Sequence, residues 1–266
     1  MFWKDDLSLL FSNSMMLYEP KLYNDHFQNY KKYWIPKAQL IIADIPYNLG
    51  NNAYASNPAW YEGGDNTNWE SELAGKQFFD TDKNFKISEF LHYANQMLKP
   101  EPKEAAKAPC IVVFCEYEQQ FELIQKAPHY WFKNYINLVF RKNFSAQVLK
   151  ANMKVVGNCE YGLILYRDKL PKFNNHGKMI FNCFEWEKDT QTTKVHPTQK
   201  PVQLLEQLIE IFTDKEEVVI DPCAGSGTTL LAAARCNRKS FGFEIKKNFY
   251  QLAKEKILTN IQNKLL

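Results

Sequence analysis

The chain has 266 residues, of which 45% are hydrophobic and 15% aromatic, and carries a net charge of +3. That apolar content excludes a disordered polypeptide, and no apolar run approaches the roughly 20 residues that cross a bilayer, so no membrane partner is expected. Six cysteines (Cys110, Cys115, Cys159, Cys183, Cys223, Cys236) lack any C-x-x-C pair, which argues against a zinc site or a redox motif; no metal is expected. Reduced thiols, and a first stretch with neither a basic n-region nor a continuous apolar h-region, lead us to expect a cytoplasmic protein.

Residues 1–20 read as irregular or weakly helical. Leu22 and Tyr23 lead into Asn24-Asp25, and His26–Trp34 predicts a helix. The apolar run Leu40-Ile41-Ile42-Ala43 fits a buried strand that stops at Asp44-Ile45-Pro46-Tyr47-Asn48. A loop rich in Asn, Gly and Asp follows to Phe79; a loop of that length in a compact domain is usually functional, and it is the candidate for closing over a site. Apolar positions at helical spacing predict a helix over 88–99, and C-I-V-V-F-C predicts a buried strand over 110–115. A helix over 117–127 and strands over 134–141 and 160–166 come next. The pattern weakens over 143–157 and 168–193. After Pro201 a helix carries Leu205, Leu208, Ile209 and Phe212. Strand 218–221, helix 228–236, strand 240–245 and helix 248–258 close the chain. Such alternation predicts one α/β domain over 1–266, with a mostly parallel sheet and helices on both faces.

Three clusters carry chemistry. At the end of the first buried strand, Asp44, the Ile45 carbonyl and the Tyr47 ring offer two acceptors and a stacking surface for a planar heterocycle bearing an amino group, and Pro46 biases Ile45 toward extended geometry. Strand ends are where α/β enzymes keep such groups. In the second cluster, Asp221-Pro222-Cys223-Ala224-Gly225-Ser226-Gly227-Thr228-Thr229 joins a strand to a helix with two close-approach glycines, but without the Gly-Lys-Thr of a phosphate loop or the third glycine of a dinucleotide fingerprint. Glu244, at the end of the next strand, stands where such folds place a carboxylate on ribose. A nucleoside without pyrophosphate is implied, and S-adenosylmethionine meets that description. The third cluster, His196-Pro197-Thr198-Gln199-Lys200-Pro201, is a stiff segment before a helix, where Thr198 and Lys200 could bind a carboxylate.

Charge is uneven. Between Lys133 and Lys178 nine basic residues face only Glu160 and Asp168, a local +7 that leaves −4 for the remainder. That is the footprint of a phosphate-facing surface, or else of a solvated lysine-rich face.

Taken together, D-I-P-Y, D-P-C-A-G-S-G-T-T and H-P-T-Q-K-P make the chain resemble the amino-methylating DNA methyltransferases of the β arrangement, which place the catalytic motif first and the cofactor motifs near the C-terminus. The resemblance covers roughly 20–258. It implies a Rossmann-like S-adenosylmethionine-dependent methyltransferase fold with a target-recognition region inserted at approximately 143–193. It also implies catalytic roles for Asp44, Ile45, Pro46 and Tyr47, and cofactor contacts from Asp25, Thr198, Lys200, Asp221, Cys223, Gly225, Gly227, Thr228 and Glu244. DNA contacts are expected from Arg141, Lys142, Lys150 and Lys154. The expected partners are DNA, double- or single-stranded, together with a second copy of the chain and a companion restriction endonuclease. Ile45 departs from the family's first proline, but the role there belongs to the backbone carbonyl. The first-position acid favours adenine N6 as the target. Cytosine N4 is the alternative, as is a DNA-binding homologue without catalysis.

Overall fold

A computed structural model of the chain describes residues 18–47, 85–144, 147–150, 155–196, 198–259 and 261. The expected closing loop, from Asn48 to Phe79, and the expected DNA contact Lys154 lie outside these residues, and of Lys150 only the backbone is described. Among the described residues no helix is long and apolar enough to cross a membrane.

The described residues form ten strands, eight of them in one central sheet: β1 (Lys21–Tyr23), β2 (Leu40–Asp44), β3 (Cys110–Cys115), β4 (Asn134–Lys142), β5 (Gln147–Lys150), β6 (Val155–Gly157), β7 (Cys159–Tyr166), β8 (Cys183–Trp186), β9 (Val218–Asp221) and β10 (Lys239–Phe243). The order across it is β1-β10-β9-β2-β3-β7-β4-β8, with β5 and β6 forming a separate two-stranded hairpin. Among the described residues five α-helices flank it: α1 (Ile87–Met97), α2 (Tyr117–Lys126), α3 (Val202–Phe212), α4 (Thr228–Arg235) and α5 (Lys247–Leu252), the last continuing as a π turn over Ala253–Leu258. The segment expected as a helix after His26 is a 3-10 helix, Phe27–Tyr33.

β2 and β3 are apolar without alternation because both sheet faces are covered, as parallel strands between helix layers require. Alternate side chains point to two cores. Leu40, Ile42, Val112 and Phe114 pack with α3 and α4. Ile41, Ala43, Ile111 and Val113 pack with α1, Leu123 of α2 and Phe27. α2 starts sharply because Glu116 and Gln119 form a capping box.

The sheet is mixed rather than wholly parallel: β7 runs antiparallel to both β3 and β4. The reason is local, since β4 reaches β7 through the β5–β6 hairpin and not through a crossover helix. The stretch 143–193 is accordingly no single inserted unit. β7 is central to the main sheet and β8 pairs with β4 at its edge; after Asp168 the chain is tied back to the domain by the Ala108–Pro171 bridge and by Asn174, which bonds to the carbonyls of Glu210, Ile211 and Thr213, so the β5–β6 hairpin is the part outside the main sheet.

β9 leads outward through α4 to β10, and β2 leads the other way to β3, so the strand order reverses between β9 and β2, which pair directly through Leu40–Val219 and Ile41–Ile220. In open α/β sheets, ligands enter at the carboxyl ends of strands at such a reversal. Asp44 and Asp221 end these two strands.

Close approach of β7 to β3 depends on Gly162, where a Cβ would lie 2.7 Å from the Val113 carbonyl oxygen and 3.0 Å from the Phe140 ring. We expect Gly162→Ala to destabilise the fold by about 1–3 kcal/mol, the usual cost of overpacking. A urea-unfolding midpoint equal to that of the wild type would contradict this packing.

Candidate active site

Asp44 occupies the last position of β2, half-buried and paired with Phe114 of β3. Its Oδ2 accepts a 2.6 Å hydrogen bond from Lys200 Nζ. Its Oδ1 is buried and, among the described residues, has no hydrogen-bond partner. An unpaired buried carboxylate oxygen is costly, and in a native site it marks a place reserved for a donor. Burial pushes the Asp44 carboxyl up, while the Lys200 ammonium pulls against that shift.

Lys200 was expected at the cofactor. Its side chain instead lies buried between two carboxylates, with Nζ 2.6 Å from Asp44 and 3.3 Å from Glu160. Burial pulls the ammonium down, but the two carboxylates outweigh it and the net shift is upward. The rings of Phe114, Trp186 and Tyr47 surround it at 5.2, 5.4 and 5.8 Å, a geometry that adds cation–π attraction. Glu160, at the start of β7, also accepts from the Tyr47 hydroxyl at 3.2 Å and pairs with Lys142. Burial pushes Glu160 up, and Lys200 and Lys142 more than offset it, leaving it ionised. Pro46 is pinned by its carbonyl, which accepts from Gln119 of α2 at 2.8 Å. Ile45 is buried, and its N–H donates to the Phe114 carbonyl.

The glycine loop lies beside this centre. Gly225 and Gly227 adopt φ of 49° and 78°, left-handed values that favour glycine. Glu244 ties the loop to the end of β10: its carboxylate accepts from the Gly225 N–H at 3.0 Å and the Lys246 N–H at 2.7 Å. The Gly225 amide therefore serves Glu244 rather than an external anion. Each Glu244 oxygen keeps a further acceptor direction, which suits ribose hydroxyls. Burial raises Glu244. It pushes Asp221 up to about 7, against hydrogen bonds from Thr229 and the Cys223 amide. Cys223 carries a thiol that burial holds far up, so it is an inert part of the loop. Thr228 is buried at the start of α4, its hydroxyl 3.1 Å from that of Ser226. Thr198 sits against His196, whose ring packs over Gly225 and edge-on to Phe249. Burial brings His196 down to about 4, so it is neutral and structural.

Asp25 follows β1, and its carboxylate gathers donors from Asn29, Tyr33, Lys32 and the His26 amide, which hold it well below the usual carboxylate range. It anchors the 3-10 helix next to the β10 end. Asn24 is the neighbour that reaches the site's edge, donating to the Glu244 and Ile245 carbonyls.

The basic stretch is mostly not free for phosphate. Lys142 is buried on Glu160 with the Trp186 ring 4.7 Å away, and Arg141 forms a two-point pair with Glu185. Lys133 pairs with Asp168 and Lys172 with Asp214. Arg167 binds Asn95 and the Lys99 carbonyl, and Lys169 the Pro102 carbonyl. Glu160 is the member of this cluster that the sequence does not single out: it reads only as one acid in a basic run, and its partners lie 18 to 113 residues away in the chain.

With this geometry in hand, comparison with known proteins is decisive. A DNA methylase family model covering N6 and N4 enzymes matches residues 38–255. The chain belongs to this family. It is 31% identical to YubD of Escherichia coli K12 over 121 residues, 46% of this chain and only 49% of that protein, so the match spans about half of that relative's length. It is 24% identical to the DNA adenine methyltransferase YhdJ of the same strain, over 87% of this chain and 80% of that one. Among solved structures, the M1.HpyAVI–SAM complex aligns with a TM-score of 0.61 at 21% identity, covering 89% of this chain and 99% of that one. The cytosine-N4-specific PvuII DNA methyltransferase aligns with a TM-score of 0.64 at 16% identity over 94% of each. The fold is thus the Rossmann-like fold of DNA methyltransferases.

Among the described residues no His, Cys, Asp and Glu group could hold a metal ion.

Lys200→Met would strand Asp44 and Glu160 beside each other. Breaking a buried pair costs about 3–5 kcal/mol. A carboxyl whose folded pKa exceeds its unfolded one favours folding at acid pH and opposes it as pH rises, and removing Lys200 pushes Asp44 further in that direction. We therefore expect the loss in denaturant stability to be larger at pH 8 than at pH 5. An equal loss at both would contradict the ion pair.

Proposed function

We propose that the protein is an S-adenosylmethionine-dependent DNA methyltransferase that modifies the N6 amino group of an adenine flipped out of the duplex. The observation that carries the reading is the buried Oδ1 of Asp44, without a hydrogen-bond partner among the described residues and placed at the strand-order reversal near Tyr47 and the glycine loop. Family membership supports the reaction class.

The residues fit the cofactor. Glu244 would hold ribose hydroxyls, Gly225 and Gly227 would let the backbone come close, Thr198 would lie at the amino-acid end, and Asp221 would face positive charge. When bound, S-adenosylmethionine supplies an electrophilic methyl group. The protein's part is to prepare the nucleophile. An amino nitrogen conjugated to a purine has a delocalised lone pair. Asp44 Oδ1 and the Ile45 carbonyl accept its two N–H groups, draw the nitrogen toward tetrahedral geometry and aim the lone pair. Preorganised acceptors and alignment are the main catalytic terms. A base inside the duplex cannot reach Asp44, so it is flipped, and Tyr47 stacks on it, an interaction worth roughly 1–3 kcal/mol.

DNA backbone contacts fall to Lys150, Lys154 and the β5–β6 hairpin, with base reading by the irregular parts of 143–193; phosphate contacts alone carry no sequence information. With this reading go a cytoplasmic location and the partners that the resemblance implies: DNA, a second copy of the chain and a companion restriction endonuclease.

The test is methyl transfer to DNA, read by mass spectrometry of the released nucleosides. Wild-type protein is expected to yield N6-methyldeoxyadenosine and Asp44→Ala none, with cofactor affinity retained. N4-methyldeoxycytidine would replace the base assignment, and turnover by Asp44→Ala would overturn the role of Asp44. A cation beside Asp221 should expel its proton, so affinity for S-adenosylmethionine should rise from pH 6 to 8 and be flatter in Asp221→Asn. Calorimetry showing the same pH dependence in both proteins would contradict that placement.

A further inference from the structure

We propose that Glu160 is a positioning residue of the transfer site: one carboxylate on β7 holds Lys200 and Tyr47 together, so that the acceptor of the amino group and the ring beneath the base are placed as one unit. This rests on the reading of Asp44 as that acceptor.

The geometry is specific. Glu160 Oε2 takes both the Tyr47 hydroxyl, at 3.2 Å, and Lys200 Nζ, at 3.3 Å, while Oε1 is paired with Lys142. Lys200 passes the constraint on to Asp44 Oδ2 and leaves Oδ1 facing the site. Trp186 closes the cluster from β8, lying over both ammonium groups at 4.7 and 5.4 Å. Two carboxylates and two ammoniums sum to zero. A neutral cluster can be buried, and Asp44 stays an acceptor without an excess positive charge that would weaken it as a base. The other titratable groups facing Asp44 are Asp221 at the end of β9, Cys115 at the end of β3 and Cys223 in the glycine loop. Burial holds the Cys115 thiol at about 12, so it stays neutral near pH 7. When the amino proton moves to Oδ1, its N–H electron pair stays on nitrogen and the cluster becomes +1.

Glu160→Gln preserves shape and an acceptor oxygen but leaves the cluster at +1 from the start. It should lower kcat by about tenfold to a hundredfold, the range for a misplaced reacting group, with affinity for S-adenosylmethionine within about twofold of wild type. The acid limb of the kcat profile should move to lower pH by about one unit, because the unbalanced ammonium stabilises the Asp44 carboxylate. Glu160→Gln combined with Lys142→Met restores neutrality and should return the limb to its wild-type position; it is also the variant to use if the single one does not fold. The Asp44 carboxyl 13C resonance, titrated without DNA, should follow the same order. An unmoved titration in Glu160→Gln, or cofactor affinity lost in proportion to kcat, would overturn the proposal. If wild-type protein transfers no methyl group while the resonance still shifts as described, the catalytic reading fails and the Glu160 linkage stands.

Discussion

A lysine ammonium buried at the meeting point of distant segments constrains the rest of this site. Lys200 precedes α3, Asp44 ends β2, and Glu160 begins β7, so the ion pairs close only when the cofactor half and the catalytic half of the sheet have assembled. A buried charge without partners would be untenable. Two carboxylates and three rings make it tolerable, and in return the ammonium fixes which Asp44 oxygen is occupied and which is open. The pair is better understood as a positioning device than as a source of stability, because burying ions usually costs about as much as their attraction returns.

The cofactor half follows a similar logic with different chemistry. Glu244 holds the glycine loop by its backbone, and His196 lies over the same loop, so the segment before α3 and the loop before α4 are locked to one another. Gly242 lets β10 come against the loop, since a Cβ there would be 2.8 Å from Leu230 and 3.1 Å from Ala224. Burial raises the carboxyls of Asp221 and Glu244, so in both it disfavours the charged form, which a cationic cofactor beside Asp221 would favour.

What was legible in the sequence is what short-range pattern encodes. The buried strand ending in Asp44, the two-glycine turn after Asp221 and an acid at the end of the next strand all announce themselves within a few residues, and the strands and the turn are present in the fold. Their order along the chain also pointed to the fold. Features that depend on distant pairing did not show. β7 was recognisable as a strand, but its reversed direction follows from the β5–β6 hairpin, whose pattern was too weak to read. Lys200 sits in a motif next to the cofactor loop, yet its side chain turns toward Asp44. The basic run reads equally as a phosphate surface or a solvated lysine-rich face because counting charges ignores partners. Glu160, Glu185, Asp168 and Asp214 occupy four of those cations, and backbone carbonyls serve Arg167 and Lys169. Asp25 was read as a cofactor acid, and its carboxylate is filled by donors of its own helix.

The most direct measurement of this account is the behaviour of the Lys200 ammonium in solution, by NMR of its Nζ protons. A buried lysine held between Asp44 and Glu160 should exchange those protons far more slowly than the surface lysines, and its signal should shift or vanish in Asp44→Asn. Exchange as fast as that of exposed lysines such as Lys32 or Lys86, with no response to Asp44→Asn, would contradict the arrangement on which the site is built.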